Sequence, residues 1–326
     1  MARYLVTGGA GFIGSNLVHA LLAQGRRVRV LDDFSTGRRA NLDEIKGEIE
    51  LCEGDMRDPA TCARATAGVD FVLHQGAVPS VARSVRDPRL SHDANATATL
   101  NMLIAARDAG VKRFVHASSS SIYGDSPTLP KQEEMAPRPK SPYAVAKMAA
   151  ESYCRVFNEL YDLETVCLRY FNVFGPRQDP QSPYSAVIPL FATAMLKGER
   201  PVIYGDGLQS RDFTFVANNI AANLLATTAP GVGGQVFNIA CGRRYTLLDL
   251  VAALNRILGT RIEPEFRTAR AGDVKHSLAD IARAETELGY RVQVDFDAGL
   301  AQTVAWYLAG GTELEQMAHS AASSSR

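Results

Sequence analysis

Throughout the first half of the chain, short apolar runs alternate with longer stretches whose apolar residues recur at helical spacing. Tyr4 to Thr7, Val28 to Leu31, Ile49 to Cys52, Phe71 to Leu73, Phe114 to His116 and Thr165 to Leu168 are almost continuously apolar, a pattern that predicts strands covered on both faces. Between them, Phe12 to Ala23, Leu90 to Ala109 and Tyr143 to Tyr161 read as helices, with Ala149, Tyr153, Val156, Phe157 and Leu160 along one face. This alternation requires crossovers, and it predicts an α/β fold built on a Rossmann-type, doubly wound parallel sheet. After Phe174 the pattern loosens, with Gly175-Pro176, Ser182-Pro183, Gly205-Asp206-Gly207 and Gly231 to Gly234 punctuating shorter elements. The organisation expected is a dinucleotide-binding domain over 1–174 and a smaller, ligand-binding α/β domain over 175–326. The two are interleaved, because Val216 to Thr228 (helical) and Gln235 to Ala240 (strand) read as a return of 213–241 to the sheet. Residues 318–326, small and polar beyond Trp306 and Tyr307, read as a disordered tail.

A chain of 326 residues with 46% hydrophobic content can bury its own core. Its 35 basic and 35 acidic side chains cancel, so no net field draws it to nucleic acid or to an anionic membrane, and an anionic ligand must be held by local charge. The five cysteines, Cys52, Cys62, Cys154, Cys167 and Cys241, follow no metal-ligand spacing and read as reduced thiols, with no metal site expected. No apolar stretch approaches the ~20 residues that span a bilayer, and Met-Ala-Arg-Tyr-Leu-Val-Thr-Gly does not match a signal peptide. A cytoplasmic location is expected.

The first strand runs into Gly8-Gly9-Ala10-Gly11-Phe12-Ile13-Gly14 and then a helix. Glycines at a strand-to-helix turn let backbone approach a pyrophosphate, which the amides at the helix start then face. Asp32 ends the second strand, close to the ~20-residue offset at which an acid meets the adenosine ribose. Its charge repels a 2′-phosphate and favours NAD over NADP. Arg38 and Arg39, which follow, read as solvated surface arginines.

Ser141-Pro142-Tyr143-Ala144-Val145-Ala146-Lys147 reads as a helix start, with Ser141 as N-cap and Pro142 first in the helix. Tyr143 and Lys147 then lie one turn apart on one face. A free phenol titrates near ~10, too high for a base at neutral pH, and a nearby ammonium favours the phenolate. The serine run Ser118-Ser119-Ser120-Ser121 falls at the end of the fifth strand, where ligands bind in such sheets. A serine there can hydrogen-bond the oxygen whose proton the tyrosine takes.

With these motifs the chain resembles the extended short-chain dehydrogenase/reductases, and within them the UDP-sugar 4-epimerases. The likeness also runs through Asp32 to Gly37, Gly54 to Asp58, Arg169 to Gly175, Ser210 to Phe213 and Arg270 to Asp273. It implies an NAD cofactor held by Gly8, Gly11, Phe12, Ile13, Gly14, Asp32, Tyr143, Lys147 and Tyr170, with Asp55 and Met56 at the adenine. Tyr143 is the implied base, Lys147 the residue that binds ribose and tunes it, and Ser119 the partner of the sugar 4-oxygen. On the substrate side the resemblance implies Asn172 on the substrate, Arg211 and Arg270 on the diphosphate, Asp273 on the uridine ribose, and Ser277 where a small residue leaves room for an N-acetyl group. The implied activity is NAD-dependent 4-epimerisation of UDP-GlcNAc/UDP-GalNAc, with UDP-glucose/UDP-galactose also accepted, by a homodimer formed through the Leu90 to Ala109 and Tyr143 to Tyr161 helices. UDP-glucuronate 4-epimerisation or decarboxylation, and a non-catalytic NAD-binding sensor, are the alternatives. Two departures from the family pattern stand out: Gly76-Ala77 replaces an alanine pair, and Ala217-Asn218 replaces an acidic pair.

Overall fold

The computed structural model describes residues 2–180, 186–269 and 275–310. Six strands, β1 (Arg3–Thr7), β2 (Arg27–Asp32), β3 (Ile49–Glu53), β4 (Phe71–His74), β5 (Arg113–Ser119) and β6 (Glu164–Tyr170), are joined at one edge by Gln235–Ile239. The spatial order is Gln235–Ile239, β6, β5, β4, β1, β2, β3, and every neighbouring pair is parallel. The chain winds outward from β1 to β3 and then returns to β4 on the other side of β1. This places a crevice at the β1/β4 boundary, beyond the strand ends.

Alternation along the strands builds two cores. Val6, Val30, Leu73, Val115, Leu168 and Phe237 face helix α1 (Phe12–Ala23) and the Val216–Thr228 helix, while Leu5, Leu31, Val72, Phe114 and Cys167 face the Ala98–Asp108 and Pro142–Leu160 helices. Adjacent residues in a strand point to opposite faces, so a run such as Leu5-Val6 must be apolar at both positions. A third core, around Phe174, Phe191, Phe213, Phe215, Leu250 and Phe296, supports the second body of the molecule. Among the described residues that body contains three two-stranded pairs instead of a large sheet.

The observed strands exceed the apolar runs at their ends. β5 continues through Ser118 and Ser119, which pair in register with Arg169 and Tyr170. The helix read over Leu90 to Ala109 is interrupted: Pro88–His92 and Ala98–Asp108 flank a π-helical turn at Asp93–Thr97. Asn218 accepts from the Gln293 and Val294 amides at 2.8 and 3.1 Å and donates to the Val294 carbonyl at 2.7 Å. A carboxylate there could accept but not donate, which gives the departure from an acidic pair a local reason. Among the described residues no helix is long and apolar enough to cross a membrane. The expected tail at 318–326 lies outside the described residues.

Candidate active site

A cleft of about 1100 Å³ opens at the β1/β4 boundary, and its lining includes Gly8, Gly11, Phe12, Ile13 and Gly14. Gly8 has φ +63°, and a Cβ on it would lie 2.6 Å from Gly76 Cα; a Cβ on Gly14 would lie 2.0 Å from the Gly8 carbonyl oxygen. The turn is thus closed against its own backbone and admits no side chain at either position. Helix α1 starts with no side-chain cap and no acid in its first turn, leaving its N-terminal amides to an anion. A glycine turn of this shape, followed by uncapped amides, fits a dinucleotide pyrophosphate.

Asp32 lies in the same cleft, its carboxylate accepting from the Ala10 and Phe34 amides at 2.9 and 2.8 Å. Burial raises its pKa, and those two amides pull it back. Each oxygen keeps a free acceptor site for a ribose hydroxyl. Replacing Asp32 with Asn removes the charge but keeps the shape; the NAD over NADP preference, measured as a ratio of Kd values, is expected to narrow at least about tenfold. Arg39 stacks 3.8 Å from the Phe34 ring centroid and pairs with Glu53 at 2.7 Å. Arg38 lines the cleft and stands 3.7 Å from Asp179. Asp55 and Met56 border the cleft too, Asp55 being held by Arg57 at 2.5 Å, which lowers its pKa. A Cβ on Gly76 would meet Met56 Cε at 2.3 Å, so the glycine of the Gly76-Ala77 departure makes room for this methionine.

Tyr143 and Lys147 reach the cleft from the first turns of the Pro142–Leu160 helix, whose start is fixed by Ser141 Oγ accepting from the Ala144 amide at 3.2 Å. Burial raises the Tyr143 pKa, and the Ser119 hydroxyl beside it acts in the opposite direction. Lys147 Nζ donates to the Ala117 carbonyl at 2.8 Å, and burial brings its pKa down to about 8. The ammonium expected to act on the phenol is therefore anchored to β5, and in this structure the polar side chain that lowers the Tyr143 pKa is Ser119. Ser118, by contrast, turns its hydroxyl inward to Glu151 at 2.6 Å.

Tyr170 also lines the cleft, but its hydroxyl is engaged: it accepts from Asn223 Nδ2 at 2.6 Å and donates to Gln75 Oε1 at 3.2 Å, while Gln75 Nε2 donates to Asn223 Oδ1 at 3.0 Å. Burial pushes its pKa up to about 12. Gln75 and Asn223 escaped the sequence reading, because nothing local in the sequence connects residues so far apart. Arg177 escaped it too; it lines the cleft with φ +68° and donates to Asn16 Oδ1 at 3.1 Å.

A second cleft of about 320 Å³, which shares Ala186 with the first, is lined by Asn172 and Arg211 among aromatic and aliphatic residues. Asn172 has φ +33° and donates to the Asp212 carbonyl at 3.2 Å. Arg211 Nη1 donates to the Ser210 and Lys275 carbonyls at 3.0 and 3.3 Å. Ser277 lines neither cleft, but its amide donates to the Ser210 carbonyl at 3.0 Å, which sets it beside Arg211. Arg270 and Asp273 lie outside the described residues.

Residues 4–240 match the NAD dependent epimerase/dehydratase family. The UDP-glucose 4-epimerase of Mycolicibacterium smegmatis is 40% identical over 309 residues, covering 94% of this chain and 98% of that protein. The structure of UDP-N-acetylglucosamine 4-epimerase from Methanobrevibacter ruminantium in complex with UDP-N-acetylmuramic acid superposes with TM-score 0.90 at 39% identity, covering 94% and 98% of the two chains. Thermus thermophilus UDP-glucose 4-epimerase in complex with NAD gives TM-score 0.84 at 37% identity, covering 94% and 99%. With the family match over residues 4–240 and this identity along nearly the whole length, the chain belongs to the NAD dependent epimerase/dehydratase family.

Proposed function

We propose that this NAD-dependent enzyme is a UDP-hexose 4-epimerase that interconverts UDP-GlcNAc and UDP-GalNAc and also accepts UDP-glucose and UDP-galactose. The observation that carries the reading is Ser119 beside Tyr143, with Tyr143 and Lys147, one turn apart on the same helix, both lining the dinucleotide cleft. NAD, when bound, supplies a reversible hydride acceptor. Tyr143 takes the proton of the sugar 4-hydroxyl while Ser119 hydrogen-bonds that oxygen, and the 4-keto sugar turns about its diphosphate link before Tyr143 returns the proton to the other epimer. Lys147, buried and charged, serves the cofactor ribose and stabilises the phenolate form in which Tyr143 takes the proton. In the second cleft Asn172 contacts the substrate and Arg211 its diphosphate, a role Arg270 shares, and Asp273 meets the uridine ribose; a guanidinium matches paired phosphate oxygens. A dehydratase needs an acid pair to expel water, and Ser119-Ser120-Ser121 supplies none. The exposed apolar residues Ile104, Val145 and Tyr153 on the Ala98–Asp108 and Pro142–Leu160 helices support a homodimer through these helices.

The preference for an acetylated sugar rests on Ser277, a small residue beside Arg211. Incubating the protein separately with UDP-GlcNAc, UDP-glucose and UDP-glucuronate, and resolving anomeric protons by NMR, tests the reading. UDP-GalNAc is the expected product, UDP-galactose alone refutes the acetyl preference, and epimer from UDP-glucuronate only refutes the hexose assignment. Ser277→Tyr is expected to lower kcat/KM for UDP-GlcNAc by at least about tenfold while sparing UDP-glucose, since a tyrosine beside Arg211 takes up the room a 2-acetamido group needs, a steric difference worth roughly that amount.

A further inference from the structure

Tyr143, Lys147 and Glu151 follow one another at four-residue intervals on the Pro142–Leu160 helix, and so share a face. Glu151 is buried and bidentate with Arg169: its Oε1 accepts from Arg169 Nε and its Oε2 from Arg169 Nη2, both at 2.8 Å. Oε1 also accepts from Ser118 Oγ at 2.6 Å. Arg169 is further held through Nη1, which donates to Tyr123 Oη at 2.8 Å and to the Glu133 carbonyl at 3.2 Å, and Tyr123 donates in turn to Asn238 Oδ1 at 2.7 Å. Three members of this cluster adjoin residues of the active site: Ser118 precedes Ser119, Arg169 precedes Tyr170, and Glu151 lies one turn beyond Lys147.

Stability does not explain such a pair. The desolvation of two buried charges offsets their attraction, and apolar residues of similar volume commonly replace such a pair at no loss of stability. What apolar residues cannot reproduce is directional hydrogen bonding that fixes two strand ends against one helix face. We propose that the buried Glu151–Arg169 pair is the positioning element of the catalytic residues, locking the ends of β5 and β6 under the helix and placing a carboxylate one turn from Lys147. The inference rests on the catalytic reading of Tyr143, Lys147 and Ser119 given above.

The groups facing Lys147 are Tyr143, Glu151 and Cys154 on its own helix, His74 on β4, His116 on β5 and Cys167 on β6. Burial holds His74 neutral, with a pKa of about 3, and His116 neutral as well, and the Cys167 thiol is pushed well above its ordinary value. Glu151 is then the carboxylate that helps Lys147 to stay charged. Without it, Lys147 loses a carboxylate that favours its charged form and gives up its proton at lower pH.

The test is Glu151→Gln in the whole, NAD-loaded protein, with kcat and KM for the UDP-sugar measured across pH. The expected result is a kcat loss of ~10- to 100-fold, the scale of a small misplacement of reacting groups, with KM unchanged and the alkaline fall of kcat moved to lower pH. A lowered Tm with an unmoved pH profile would mean a structural role only, and would overturn the proposal. Should Glu151→Gln not fold, the double variant Glu151→Leu/Arg169→Met decides: retained Tm with low kcat supports the proposal, and wild-type kcat overturns it. Tyr143→Phe is measured alongside. Full activity in that variant overturns the catalytic reading itself, whereas an inactive Tyr143→Phe with wild-type kcat in Glu151→Gln overturns only the positioning role.

Discussion

Tyr143→Phe is expected to lower kcat by at least about 10³-fold, near the upper part of the range for losing a general base, while the protein keeps its fold and its NAD. The substitution removes one oxygen from a half-buried ring and leaves the helix start, with its Ser141 cap, untouched. No neighbour can replace the lost group. Lys147 Nζ is anchored on the Ala117 carbonyl, Ser119 is an alcohol that accepts from the Ser121 amide, and His74, the last residue of β4, is buried in hydrogen bonds to Thr7 and Thr99. Epimer formation followed by NMR, NAD content after denaturation, and the circular dichroism spectrum together check the claim. Near-normal turnover in a folded, NAD-loaded variant would remove Tyr143 from the chemistry.

Features carried by contiguous residues were legible in the sequence. The strand–glycine–helix start, Asp32 and the capped helix bearing Tyr143 and Lys147 all depend on local spacing, and the parallel sheet follows from the alternation of runs. What remained hidden depends on residues brought together from afar. β5 was read three residues short at its C-terminal end because Ala117, Ser118 and Ser119 are small or polar, and only their register with β6 makes them strand. The π-helical turn at Asp93–Thr97 has no counterpart in the periodicity, since one turn of altered pitch leaves the apolar face almost where it was. The ring of Gln75, Tyr170 and Asn223, the Asn16–Arg177 contact and the Glu151–Arg169 pair each join separate elements. Polar residues inside apolar stretches were the available signal: Glu151 and Asn223 both fall on helix faces that turn out to be buried.

The glycine turn gives the second large effect, because its members differ in what they exclude. At Gly14, a Cβ would stand 2.0 Å from the Gly8 carbonyl oxygen, 2.8 Å from the Gly8 carbonyl carbon and 2.9 Å from Gly9 Cα. All three are backbone atoms, with no flexible side chain to swing aside, so Gly14→Ala must push α1 off the turn. Overpacking of this kind costs about 1–3 kcal/mol, and it moves the amides that face the pyrophosphate. NAD binding is therefore expected to weaken by at least about 100-fold, or roughly 2.8 kcal/mol, together with a lowered Tm. Gly11 is a different case. It has φ −76° and ψ 176°, a conformation open to any residue, and a Cβ on it meets only the Gly8 carbonyl oxygen, at 3.1 Å. Gly11→Ala is thus expected to leave Tm nearly unchanged while weakening NAD, since the added methyl stands where the dinucleotide backbone must approach. Thermal unfolding and NAD Kd measured on both variants separate the two roles. If Gly11→Ala bound NAD as tightly as the unmodified chain, the close approach of ligand to that glycine would be wrong, and the amides of Phe12, Ile13 and Gly14 alone would have to carry the anion.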